Sequence, residues 1–312
     1  MTASTEQPFR LGTRRSPLAL VQANAARDAL IAAHGWDPDA VELVEVVASG
    51  DRIKDRPLAE IGGKALWTKE LDAQLLAGEI DAAVHSAKDV ETLRPDAIHI
   101  AATLERADVR DVLVGVSTIA ALPQGARIGT SAPRRAAQML HARPDCSVVT
   151  FRGNVATRLA RLAAGEADAT LLAAAGLARL GETHVGTPLA SEDFLPAPAQ
   201  GIIAIECRRD DERARTALAA IDHRATHEQL LAERAFLEGL GGSCSSPIAV
   251  LTTRDGDAWH MRAAIFSPDG ALRRDGETQF SADDLEPVRA MARSLLNDAP
   301  EAIAAHFDGP PV

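Results

Sequence analysis

Along the first two-thirds of the chain, short apolar runs alternate with stretches of helical periodicity, the pattern of strands and helices layered in an α/β fold. Residues 9–15 read as a strand. Ser16-Pro17 opens a helix, with serine as N-cap and proline at the first helical position. A strand over 41–48 follows, then a loop with Gly50, Pro57 and Gly62-Gly63. LWTKELDAQLLAG (66–78) has helical spacing and a closing glycine, and 81–86 and 98–104 read as buried strands. A second α/β unit begins near Asp108, with strands over 111–115, 126–129, 147–151 and 168–173 and helices starting after Thr130-Ser131 and at Asn154. The Pro-rich FLPAPAQG leads into the apolar run GIIAIEC (201–207), which has no partner strand further on. It is expected to pair back into an earlier sheet, making the first domain discontinuous.

From Arg224 the pattern changes. A helix over about 225–240 leads to the small-residue loop GGSCSSP. Three strand-like runs follow, IAVLTT, AWHMRAAIF and ALRRDGETQF, with turn chemistry in DGD and SPDG. A helix over 285–296 and another running to Phe307 complete an α+β domain.

Composition narrows the class. Hydrophobic residues make up 46% of 312, enough for real cores, and they are mainly Ala, Leu, Val and Ile because aromatics are 3% and tyrosine is absent. No apolar run approaches the roughly 18–20 residues of a membrane span. The N-terminal MTASTEQPFRLGTRRSP lacks the apolar stretch of a secretory signal, so a cytoplasmic setting is expected. Three cysteines, Cys146, Cys207 and Cys244, form no CxxC pair and suit no disulfide framework. A net charge of −11 argues against nucleic acid or an anionic membrane as partner. Only four of the 33 cations are lysine, and all four (Lys54, Lys64, Lys69, Lys88) fall within one short stretch. No histidine, cysteine or acid spacing suggests a metal site.

Arginines stand where helix dipoles disfavour them. Arg14 and Arg15 precede the Ser16-Pro17 helix start; Arg134 and Arg135 lie in the first turn after Thr130-Ser131; Arg152 precedes Asn154, and Arg158 follows one turn in. Each junction follows a strand, where open α/β sheets place ligands. One such junction would be an ordinary solvated face. Three together suggest sites for planar anions such as carboxylates, although the solvated face remains the competing explanation. No GxxxxGK[ST] loop is present, so a nucleotide is not expected. Lys88-Asp89 follows the buried strand AVHS: either an exposed ion pair, or a carboxylate held among cations to stabilise a cationic intermediate. His85 reads as packed or hydrogen-bonded, and Ser86 as a ligand donor or a turn cap. Cys207 closes an apolar run and reads as core, whereas Cys244 lies in an accessible loop.

TRRSPLAL, GGKALWTKEL, AVHSAKDV, GTSAPRR, FRGNVATRL, AAAGLARLG, APAQGIIAIECR and GGSCSSPIA occur in this order. From about Arg10 through the C-terminal domain the chain resembles the porphobilinogen deaminase (hydroxymethylbilane synthase) family. The resemblance implies two α/β domains like type II periplasmic binding proteins around a cleft, 8–104 with 200–221 and 105–199, plus an α+β domain over 225–312. It implies a transferase of tetrapyrrole and haem biosynthesis that condenses four porphobilinogen molecules onto a dipyrromethane cofactor, as a monomer. Cys244 matches the cysteine that holds the cofactor by a thioether, and Asp89 the catalytic aspartate. Arg14, Ser16, Lys88, Thr130, Ser131, Arg134, Arg135, Arg152, Arg158 and Arg179 match cofactor- and chain-binding positions, and Gln200 a cleft residue. Lys64 and Trp67 match the active-site loop, Trp67 replacing the usual Phe. Ser243 departs from the GGC pattern, and Ala132 stands where a hydroxyl residue is usual. A non-catalytic anion-binding module of the periplasmic type would share the two α/β domains but gives no reason for Cys244 or Asp89.

Overall fold

A computed structural model describes residues 7–47, 68–243 and 246–310. In chain order its elements are β1 (Phe9–Arg14), α1 (Pro17–His34), β2 (Val41–Val46), α2 (Lys69–Leu76), β3 (Ala82–Ser86), β4 (Ile98–Thr103), β5 (Asp111–Val114), β6 (Arg127–Gly129), α3 (Pro133–Ala142), β7 (Ser147–Val149), α4 (Val155–Ala163), β8 (Ala169–Ala173) and α5 (Ala174–Arg179). Then follow β9 (Thr187–Pro188), β10 (Ile203–Arg208), α6 (Glu212–Ala219), α7 (Arg224–Leu240), β11 (Ile248–Asp255), β12 (Ala258–Phe266), β13 (Arg273–Phe280), α8 (Glu286–Asn297) and α9 (Glu301–Ala304). The described residues divide into two units, one taking those up to 107 together with 201–227, the other 108–200 and those from 228 onward.

In the first unit the strand order is β2-β1-β3-β10-β4. β1 runs parallel to β2 and β3, and β10 is antiparallel to both β3 and β4. The apolar run with no later partner thus returns to the first sheet, as its sequence position requires. Side chains alternate across each strand. Phe9, Leu11, Val84 and Ile205 pack on one face beneath Ala26 and Leu30 of α1 and Leu218 of α6. Val46, Ala83 and Ile98 pack on the other face with Leu71, Leu75 and Ile80. Full burial of each such leucine stabilises the fold by about 1.5–3 kcal/mol. Helix α1 starts where expected: Ser16 Oγ accepts the Ala19 N–H at 3.3 Å, and Pro17 is the first helical residue. It stops at Gly35, whose φ of 63° is the left-handed cap conformation.

The second unit carries the sheet β7-β6-β8-β5-β9, in which β6 is parallel to β7 and β8 while β5 is antiparallel to β8 and β9. Leu113, Ile128, Met139, Leu171 and Phe194 form its main core. The antiparallel sheet β11-β12-β13 belongs to the same unit. It is joined to α3 through Ala137, Leu195, Ala249, Leu251, Ala264 and Phe266. The fold is therefore α/β, two mixed five-stranded sheets with a smaller antiparallel sheet, which is the class expected. The 147–151 strand stops at Val149, which pairs with Gly129 at the end of β6, and Phe151 beyond it is fully buried. β9, α5 and α6 were not expected from periodicity.

Candidate active site

Four of the family positions lie on one edge of the first unit's sheet. β1 and β3 are adjacent and parallel, with Leu11 opposite Ala82, so their carboxyl ends share that edge. β1 ends in Arg14, and Ser16 follows as the cap of α1; β3 is followed by a single 3-10 turn, Ala87–Asp89, that carries Lys88 and Asp89. The start of the turn is tied to a neighbouring segment, Ala87 N donating to Ile202 O at 3.0 Å, and Val90 N closes the turn on Ala87 O at 3.2 Å. Arg14, Lys88 and Asp89 are half-buried. Ser86 is oriented by Gln22, a buried residue of α1 whose Nε2 donates to Ser86 Oγ at 2.8 Å while Ser86 Oγ donates back to Oε1 at 3.1 Å. Gln22 was not singled out from the sequence; a glutamine at a core-facing helix position was the available signal.

Behind this turn is a buried ionic network. Glu206, on β10 and with no exposed surface, receives Arg94 Nε at 2.9 Å and Nη2 at 2.8 Å, and His85 Nε2 lies 3.3 Å away. Burial alone would raise the Glu206 carboxyl, but His85 and the Arg94 guanidinium outweigh it and hold it at about 2. His85 is thus packed inside, as its place in an apolar run suggests.

In the second unit β6, β7 and β8 are parallel, so the junctions that follow them share one edge. After β6, buried Thr130 Oγ1 accepts the Ala132 N–H at 3.2 Å, and Ser131 Oγ donates to Phe151 O at 2.8 Å. After β7 come half-buried Arg152, Gly153 with φ of 108°, and Asn154, whose Oδ1 accepts the Thr157 N–H at 2.9 Å and caps α4. Arg158 Nε donates to Gly153 O at 3.0 Å, which lays its guanidinium back over the same helix start. After β8, α5 ends in half-buried Arg179, and burial pulls its guanidinium below the ordinary value.

Arg134 and Arg135 behave differently. Both are buried in the first turn of α3, and the anion they hold is the chain's own. Arg134 Nη1 lies 2.7 Å from Asp111 Oδ2, and Arg135 Nη2 2.6 Å from Asp111 Oδ1. Gln200 joins them, donating through Nε2 to Val109 O at 2.7 Å and Asp111 Oδ1 at 3.1 Å. Burial alone would raise the Asp111 carboxyl; the two guanidiniums hold it far below the carboxylate range. Two cations on one carboxylate leave this cluster with a net positive charge.

Lys64, Trp67 and Cys244 lie outside the described residues. Two residues further along the chain, Ser246 is buried, its N–H donating to Ser243 O at 3.0 Å. Among the described residues no group of three or more His, Cys, Asp or Glu is placed to hold a metal ion, and no helix is long and apolar enough to cross a membrane.

Two family descriptions match the sequence: "Porphobilinogen deaminase, dipyromethane cofactor binding domain" over residues 9–216, and "Porphobilinogen deaminase, C-terminal domain" over 227–296. A porphobilinogen deaminase of Sphingopyxis alaskensis is 55% identical over 311 residues, 98% of each chain. One from Paracoccus denitrificans is 51% identical over 269 residues, 85% of this chain and 86% of the relative. Among solved structures, a TRAP periplasmic solute binding protein from Desulfovibrio salexigens aligns with a TM-score of 0.43 at 9% identity, over 74% of this chain and 76% of that one. The BvgS periplasmic VFT2 domain of Bordetella pertussis aligns with a TM-score of 0.38 at 16% identity, over 72% and 92%. Two family matches in tandem, and relatives alike along nearly the whole length, make this chain a member of the porphobilinogen deaminase family.

Proposed function

We propose that the chain joins four porphobilinogen molecules head to tail, with loss of ammonia at each step, on a dipyrromethane primer held by Cys244. Water then releases the linear tetrapyrrole hydroxymethylbilane. Family membership makes the chain an enzyme, a transferase of tetrapyrrole biosynthesis with a dipyrromethane cofactor, and sets aside a non-catalytic anion-binding module. The observation that carries the residue-level reading is the placing of Asp89: a half-buried carboxylate on a pinned turn, at the sheet edge that also bears Arg14 and Ser16.

The donor set suits the cofactor. Each pyrrole ring bears acetate and propionate groups, and cations held partly away from water bind carboxylates more strongly than exposed ones. Arg179 is such a cation, its pKa lowered by burial. When bound, the dipyrromethane supplies the free pyrrole carbon that receives the first substrate ring. Arg14, Ser16 and Lys88 in the first unit, and Thr130, Ser131, Arg152, Arg158 and Arg179 in the second, are assigned to carboxylates of primer, substrate and growing chain. Arg134, Arg135 and Gln200 are assigned to the same task through the excess positive charge they keep around Asp111. Lys64 and Trp67 are assigned to the active-site loop.

Asp89 is assigned the chemistry. As the aminomethyl nitrogen leaves porphobilinogen as ammonia, positive charge develops on that substrate ring. A carboxylate fixed in advance stabilises this charge without reorganising, and it can accept hydrogen bonds from pyrrole N–H groups. The reading includes three domains, the third carrying Cys244, and a monomer in the cytoplasm, where a thiol at 244 stays reduced until the primer joins it.

Intact-protein mass spectrometry tests the assignment. Purified protein is expected to carry the added mass of two pyrrole units, to give the colour of dipyrromethane with acidic aldehyde reagent, and to make hydroxymethylbilane. Cys244→Ala is expected to lose the mass, the colour and the activity; turnover by that variant would remove the anchor.

A further inference from the structure

We propose that Arg94 is a positioning residue for the reaction, acting through Glu91 to hold the Asp89 turn in place; the inference rests on the role just assigned to Asp89. Its guanidinium binds three carboxylates from separate parts of the first unit. Nε and Nη2 fork onto Glu206 of β10 at 2.9 and 2.8 Å. Nη2 and Nη1 fork onto Asp72 of α2 at 2.5 and 3.1 Å. Nη1 also reaches Glu91 Oε2 at 2.8 Å and Thr68 Oγ1 at 3.3 Å. Thr68 in turn donates to the same Glu91 oxygen at 2.8 Å.

Glu91 and Arg94 follow Asp89 by two and five residues. The strand side of the turn is fixed by β-pairing of β3 with β10. The exit side has no regular element before β4, and the segment is held through Glu91 and Arg94 to a strand and a helix at once. A bidentate guanidinium fixes direction as well as distance, which an ammonium cannot do. Stability alone is a poor account of the arrangement. Three carboxylates on one cation, with the Arg94 side chain only 7% exposed, cost desolvation that an apolar cluster would avoid. What such a network supplies is one defined geometry.

Glu91→Gln and Arg94→Lys test this, the first at a partly exposed side chain (22%) where the fold tolerates the change. Both variants are expected to keep the covalent primer by intact mass. Glu91→Gln is expected to lower kcat about tenfold, and Arg94→Lys up to about a hundredfold, with KM for porphobilinogen little changed, since a small misplacement of a catalytic group costs that much. Hydrogen exchange of the 87–94 segment is expected to quicken in both. The deciding measurement is a cycle with Asp89→Asn: if Glu91 acts through the carboxylate, Glu91→Gln has little further effect in that background. Wild-type kcat in both single variants, an undiminished loss in the Asp89→Asn background, or loss of the primer from folded Glu91→Gln overturns the inference. An inactive wild-type protein overturns instead the function on which it rests.

Discussion

Arg135 and Asp111 form a buried two-point pair, Nη2 and Nε donating to the same Oδ1 at 2.6 and 3.1 Å, with 6% and none of the respective side chains exposed. Arg134 takes the other oxygen, so one carboxylate holds two guanidiniums within the α3 start. Removing it leaves two cations in a dehydrated place. Asp111→Ala is therefore expected to cost about 3–5 kcal/mol of stability, the range for breaking a buried pair. Urea unfolding followed by circular dichroism reads the loss, and a midpoint within error of wild type would show the cluster to be energetically neutral.

Acid sensitivity follows from Glu206. Its folded carboxyl sits at about 2, below the roughly 4.3 of an unfolded glutamate. A depressed folded value means that the contribution is complete above about pH 5 and drains away as the pH falls from about 4.3 toward 2. Asp111 is depressed for the same reason and acts in the same direction. The Glu206 share is on the order of 3 kcal/mol. Stability measured from pH 6 down to 3 is expected to fall more steeply in wild type than in Glu206→Gln, and parallel curves would contradict the ionised state of Glu206.

Asp89→Asn keeps the shape of the side chain and deletes its charge. The backbone bonds of the turn, from Ala87 N to Ile202 O and from Val90 N to Ala87 O, do not use the Asp89 carboxylate, so the fold and the primer mass are expected to survive. Turnover is expected to fall by about a hundredfold or more, the scale for losing one preorganised electrostatic group. Steady-state rates with porphobilinogen check this; a loss under tenfold would move the chemistry to another residue.

Much of this arrangement is visible in the residues alone, where the signals are local. Ser16-Pro17, Asn154 and the glycines after helices punctuate the chain strongly, and the elements they bound form where expected. α6 escaped because the buried side of ERARTALA rests on Ala214, Ala217 and Leu218, too little apolar contrast to stand out. β9 is two residues long, one of them proline. The missed partnerships are long-range. Arg94 and Glu206 meet across 112 residues, and Asp111 reaches Arg134 across 23, so neither charge announces its partner. Each did leave a trace, an acid in an apolar run (GIIAIEC, DVLV) that needs a cation if it is buried. Such a trace says that a partner exists without saying which arginine it is.

Arg152 contrasts with Arg134. It is half-buried before the α4 cap, whereas Arg134 is buried on Asp111. Arg152→Leu is expected to unfold within about 1 kcal/mol of wild type, as substitutions outside the core do. Its defect is expected in the covalent intermediates, since a charged hydrogen bond to a carboxylate contributes about 1.5–3 kcal/mol. Intact-mass spectra under limiting porphobilinogen are expected to show one intermediate accumulating, and a ladder like that of wild type would refute the assignment.

Ala132 is the N-cap of α3, with φ −92° and ψ 115°, extended as a cap should be, yet it has no side-chain oxygen to accept an N–H of the first turn. Pro133 already removes one of the donors, and Thr130 Oγ1 accepts the N–H of Ala132 itself. Ala132→Ser supplies the missing acceptor and is expected to add about 1 kcal/mol of stability. The same hydroxyl stands at the edge where Thr130 and Ser131 are assigned to carboxylates. If it caps the helix, the gain appears in thermal unfolding whether or not the primer is attached, and Cys244→Ala/Ala132→Ser shows it in full. A gain confined to primer-bearing protein would mean that the serine binds the ligand instead of capping α3.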